Sequence, residues 1–183
     1  NGATLGKSKS GEKISSDGVE PTSALIRATL INGATEINGD PESYRNGNAY
    51  PNNDQGWGLV NLSNSIYFRG DAKRMIAIDN NQGLTTGETA TYNIVVVDNT
   101  QPLEFTLAWT DYPGSPSSET QLVNDLNLRV IDSNNNVYLG NNFVSNNPGY
   151  STIGGENDNI NVEEAVLLLP DNNHFPKGKY TIE

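Results

Sequence analysis

Apolar positions follow a helical spacing in the first third of this chain and a two-residue spacing after it. Leu25, Ile26, Ala28, Thr29 and Leu30 recur at helical intervals. Pro21 suits a first helical turn, where its missing N–H costs nothing, and Asn32-Gly33 ends the run. The face is apolar nearly all round, so this helix is expected to lie against something rather than stand in water. Residues 35–55 contain Asn38-Gly39-Asp40-Pro41, Asn46-Gly47 and Pro51-Asn52-Asn53-Asp54, and read as a long surface loop. Then comes Gln55-Gly56-Trp57-Gly58-Leu59-Val60-Asn61-Leu62. Its glycines permit positive φ or a close backbone approach on both sides of a bulky aromatic. Asn61 is placed to cap a short helix over 62–66.

From residue 69 onward the pattern predicts strands. Residues 75–78 form a short apolar run, and 88–97 are dense in β-branched residues. Leu103, Phe105, Leu107 and Trp109 alternate with Glu104, Thr106 and Ala108, which puts one face of that strand in a core. Leu126, Leu128 and Val130 face one way, and Asp125, Asn127 and Arg129 the other. Residues 132–136 read as a hairpin turn into a strand at 137–139. Residues 141–161 read as an Asn/Gly-rich loop, 163–169 as a strand and 179–183 as the last one. Short strands at this spacing predict a sandwich or jelly roll.

Composition narrows the function classes. Of 183 residues 34% are hydrophobic and none is cysteine, so disulfides, thiol catalysis and Cys-based zinc sites are excluded. A net charge of −11 argues against nucleic acid and against anionic membrane surfaces as partners. No run approaches the roughly 20 apolar residues of a membrane span. The first residues are polar, with no hydrophobic leader segment, and the chain is expected to be an internal piece of a longer precursor.

Taken together and in order, the segments resemble a known family. Pro21-Thr22-Ser23-Ala24-Leu25-Ile26-Arg27-Ala28-Thr29-Leu30-Ile31-Asn32-Gly33-Ala34, followed by Gln55-Gly56-Trp57-Gly58-Leu59-Val60-Asn61-Leu62, resembles the end of a subtilisin-like (subtilase) catalytic domain. Leu122-Val123-Asn124-Asp125-Leu126-Asn127-Leu128, Tyr138-Leu139-Gly140-Asn141 and Asn161-Val162-Glu163 are similar to the C-terminal β-domain of the same enzymes. The resemblance implies a mainly β fold: a jelly-roll-like β-sandwich preceded by the last helices of a subtilisin-like α/β domain. Residues 1–18 would be a loop or tail, 19–68 a catalytic-domain remnant and 69–183 the β-domain. It also implies a secreted serine endopeptidase as parent, acting on polypeptides. The expected partner of residues 19–68 is the remaining catalytic-domain part or a second copy of the chain. A stand-alone β-sandwich binding module, for carbohydrate or a cell surface, is the alternative.

No catalytic residue carries over. The family's Gly-Thr-Ser-Met-Ala nucleophile motif has no counterpart in residues 1–20, and the single histidine, His174, sits in a turn sequence expected to be exposed. The chain alone is therefore expected to be inactive. For a sugar platform the aromatic candidates are Trp109, Tyr112, Tyr138 and Tyr150, with Trp109 expected to pack in the core. For a metal, calcium suits the oxygen-rich turns. Asp125 and Asn127 share a non-core strand face, and the loop at 156–161 adds Asp158 and Asn161. These four are the candidate ligands; the competing use of the same residues is turn geometry through side-chain-to-backbone bonds.

Overall fold

The computed structural model describes residues 20–37, 51–67, 70–144, 149–170 and 175–183. Helix α1 (Ser23–Asn32) starts two residues later than Pro21 suggested, because Thr22 takes the N-cap. The Thr22 side chain accepts from the Leu25 N–H at 3.1 Å. Asp79 locks that cap from a distant segment, accepting from the Thr22 N–H at 2.9 Å and from its hydroxyl at 2.8 Å. Residues 75–78, expected to be a strand, pair with no strand among the described residues; the residue that follows them, Asp79, reaches the N-cap of α1.

Gly33 closes α1 at φ −99°, so a left-handed cap is not what selects it. Space selects it: a Cβ there would lie 2.2 Å from Ser65 Oγ and 2.5 Å from the Ser65 nitrogen. Ser65 belongs to α2 (Leu62–Ser65), capped by Asn61 as the sequence indicates, whose side chain accepts from the Ser63 N–H. Gly56 and Gly58 do take positive φ, 58° and 83°, and turn the chain so that Trp57 meets Phe143 edge to face, ring centroids 6.2 Å apart.

The strands are β1 (Tyr92–Val96), β2 (Leu103–Ala108), β3 (Arg129–Ile131), β4 (Val137–Phe143), β5 (Ser151–Ile153), β6 (Glu163–Leu168) and β7 (Gly178–Ile182). The described residues form a five-stranded sheet in the order β1-β7-β3-β4-β5 and a two-stranded sheet, β2-β6, with antiparallel pairing between all these strands. The fold is thus mainly β and consistent with a sandwich. The expected loop over 141–161 is corrected: β4 runs on to Phe143, and β5 follows within it.

Val96, Leu128, Val130, Tyr138, Val166, Leu168, Phe175 and Tyr180 form the buried core, with Leu103, Phe105 and Leu107 packed against it. The alternation of β2 therefore places the faces as expected. Burial of each such side chain contributes about 1.5–3 kcal/mol. Phe105 stacks on Tyr180, whose hydroxyl donates to the Pro176 carbonyl at 2.8 Å. Helix α1 lies against β2 and α2 and completely buries none of its own residues; Ile26 stays 47% exposed. Asn32 donates to Thr106 Oγ1, and Arg27 donates to the Trp109 carbonyl while standing 2.8 Å from Glu163 Oε1.

Candidate functional site

The densest polar chemistry among the described residues gathers where β6 begins. Glu163 and Glu164 fall on opposite faces of this strand, as strand geometry requires. Glu163 looks outward to Arg27. Glu164 turns inward and is 1% exposed. Its Oε2 accepts from the Leu128 N–H at 2.7 Å, whereas its Oε1 is buried without a hydrogen-bond partner. Gly140 on β4 leaves the room for this carboxyl: a Cβ there would lie 2.1 Å from Oε2.

Asn141, the next residue on β4, has φ 58°, an unusual conformation for a non-glycine residue. Its side chain holds it there. Nδ2 donates to Asp158 Oδ2 at 2.5 Å and to the Glu163 carbonyl at 2.8 Å, and Oδ1 accepts from the Ala165 N–H at 2.9 Å. Asn141 thus takes the place of a neighbouring strand along the free edge of β6. Ser151 does the same one step further on, accepting from the Leu167 N–H. Asp158 also accepts from the Ile160 and Asn161 amides and from Asn161 Nδ2.

The electrostatics divide the buried Glu164 from the partly exposed Asp158. Burial works against the charged form of Asp158, but the hydrogen bonds from Asn141, Asn161 and the two amides outweigh it and hold its pKa below the ordinary value. Burial pushes Glu164 up to about 7; the Leu128 N–H pulls it back, and the charges of Asp158 and Asp125 push it further up.

Of the four ligands expected from sequence, Asp158 and Asn161 meet directly. Asp125 is exposed yet near enough to act on Glu164, and Asn127 is exposed on the same segment. The sequence sets Glu163 and Glu164 on opposite faces of one strand, but it singles out neither Glu164 nor Asn141 as a site residue. Glu164 falls in phase with Val166 and Leu168, so its inward direction was readable from the alternation; the left-handed turn at Asn141 had no local signal. Among the described residues no group of three His, Cys, Asp or Glu side chains forms a ready-made metal cage.

The sugar-platform candidates separate. Trp109 and Tyr138 are buried, and Trp109 donates its indole N–H to the Asn124 carbonyl at 3.0 Å. Tyr112 is 75% exposed and lines an open groove of about 340 Å³ with Asp111, Gln121 and Ile160. Asp111 is already taken up by the loop it organises, accepting from Tyr112, Val123 and Asn124. His174 lies outside the described residues. No helix among the described residues is long and apolar enough to cross a membrane.

Comparison with known proteins relates the chain to part of much longer polypeptides. No family model matches it. It is 33% identical over 139 residues to the Serine protease/ABC transporter B family protein tagA of Dictyostelium discoideum, a match covering 72% of this chain and 7% of that protein. It is 26% identical to tagD and 25% identical to tagB of the same organism, over 88% and 87% of this chain. The matched region spans about a tenth of these relatives' length. The similarity supports a protease-related family.

Proposed function

We propose that this chain is the C-terminal part of a secreted subtilisin-like serine endopeptidase and supports the catalytic domain without supplying its chemistry. The observation that carries the reading is the similarity to proteins named as serine proteases over most of this chain but a small part of theirs. In this reading residues 19–68 are the last catalytic-domain elements, and residues 69–183 are a jelly-roll-like domain. The surface around α1 and α2 agrees with such an arrangement. Leu59, Val60, Leu62, Ile66 and Tyr67 are each 44–61% exposed within nine residues, beside the half-exposed Ile26. So many large apolar side chains in one segment favour a covering partner, which we assign to the rest of the catalytic domain. The carbohydrate reading gains nothing comparable, since two of its four aromatic candidates are in the core.

The test is direct. Purified chain is incubated with casein and with a fluorophosphonate serine probe. The reading expects neither cleavage nor labelling. Stoichiometric labelling would overturn it, because the nucleophile would then lie within these residues.

A further inference from the structure

Resting on the protease reading above, we infer that Arg27 is the residue through which the β-sandwich sets the position of α1, and through α1 that of the covering catalytic domain. Helix α1 completely buries none of its residues. Apolar burial is non-directional, so it does not by itself fix where such a helix sits. Directed polar contacts do. Asn32, at the C-terminal end of the helix, donates to Thr106 Oγ1 on β2 at 3.1 Å. Arg27, in the middle, donates through Nη2 to the Trp109 carbonyl at 2.5 Å. Ser23, at the start, stands 3.4 Å from the Thr110 hydroxyl. The contacts run in opposite order along the two elements, so α1 lies antiparallel to β2 and the residues that continue it. Their spacings also match. Ser23 to Asn32 spans about 13.5 Å of helix, and Thr106 to Thr110 about 13 Å of extended chain.

Among these contacts Arg27 alone touches both strands of the two-stranded sheet. The Trp109 N–H donates to the Val162 carbonyl at 3.2 Å, which ties the chain leaving β2 to the chain entering β6. Arg27 bridges the same two chains from the helix side: Nη2 holds the Trp109 carbonyl, and Nε stands 2.8 Å from Glu163 Oε1. Nε is buried and makes no directed hydrogen bond, so its contact with Glu163 is one of charge. The contacts of Asn32 and Ser23 lie along one strand and, alone, leave the helix free to roll about it; the second strand removes that freedom. The Thr22 contact with Asp79 involves neither sheet. A planar guanidinium presents separate donors to two acceptors, which the single point charge of a lysine does not reproduce at both. Ile26, the residue before Arg27, is 47% exposed and lies about 100° around the helix from it. A partner covering Ile26 and the sandwich holding Arg27 therefore grip α1 from different sides.

The experiment uses the whole polypeptide that contains this chain, well below its Tm, with each variant first shown to be folded by its urea transition. A fluorophosphonate labels the reactive serine, and two quantities are read: the limiting rate at saturating probe and the probe concentration that gives half of it. Arg27→Ala should lower the limiting rate by about tenfold or more, since small misplacements far from the chemistry cost this much, and leave the half-saturating concentration within about twofold. Arg27→Lys, which serves only one of the two acceptors, should fall between Arg27→Ala and wild type. A merely structural role would lower Tm and leave the rate of the folded protein unchanged. If Arg27→Ala fails to fold, Arg27→Lys decides the matter. A wild-type limiting rate in either folded variant overturns the inference and leaves the protease reading in place. A wild-type polypeptide that takes no label outside these residues overturns that reading, and the inference with it.

Discussion

In metal-free solution, replacing Glu164 by glutamine should stabilise the protein, and the gain should depend on pH. The carboxyl is buried, one oxygen is unmatched, and its pKa rises from an ordinary 4.5 to about 7. Each pH unit between folded and unfolded pKa is worth about 1.4 kcal/mol, so charging Glu164 inside the fold costs up to about 3 kcal/mol. Below pH 4.5 both states carry the proton and nothing is lost. Between pH 4.5 and 7 the folded state keeps a proton that the unfolded state has released. Stability therefore falls as pH rises through this window, and above 7 the full cost is present. Glutamine mimics the protonated acid and should accept from the Leu128 N–H in the same way. Urea unfolding at pH 5, 6, 7 and 8 in EDTA should show wild-type stability dropping across the window. The Glu164→Gln profile should be flatter, nearly equal to wild type at pH 5 and above it at pH 8. A variant less stable than wild type at pH 8 without metal would refute the reasoning. Asp158 has the opposite sign: its lowered pKa contributes stability that is lost as pH falls through the folded value, below the window used here.

Gly33→Ala should cost about 1–3 kcal/mol, because the new methyl meets Ser65 backbone atoms, which cannot swing aside; equilibrium urea unfolding reads this, and a neutral result would mean that α1 and α2 are less tightly apposed. Thr22→Ala should cost about 1 kcal/mol through the lost cap, and the double variant with Asp79→Ala should destabilise by less than the sum of the two single changes, since both remove the same contact; strict additivity would argue against that contact.

The sequence made most of the strand framework legible because its faces alternate. Leu103, Phe105 and Leu107 face the core as their spacing predicts, and the Asp132 hairpin joins β3 to β4 at the expected place. Failures came where a non-local partner decided the outcome. Residues 75–78 have strand composition, but among the described residues no strand pairs with them. Residues 141–143 looked like a loop because asparagines dominate them, yet Asn141 uses its amide as a substitute for a strand neighbour. Gly33 looked like a helix stop and is also a contact point. At the candidate site, the loop acids were visible by composition. That Glu163 and Glu164 point to opposite faces of one strand was legible from the sequence; that Glu164 is the fully buried one was not singled out. The buried, unmatched Oε1 is visible only in three dimensions.

The central claim is that this β-rich chain serves a serine protease whose nucleophile lies elsewhere in the same polypeptide. The most direct measurement labels the whole polypeptide that contains this chain with a biotinylated fluorophosphonate, maps the labelled serine, and follows the labelled part after limited proteolysis. The account predicts a label outside these 183 residues. It also predicts that the labelled domain stays bound to the β-sandwich and separates when Leu62 and Ile66, both exposed here, are replaced by aspartate. A label on a serine of this chain, or a labelled domain that separates freely from the unaltered chain, would contradict it.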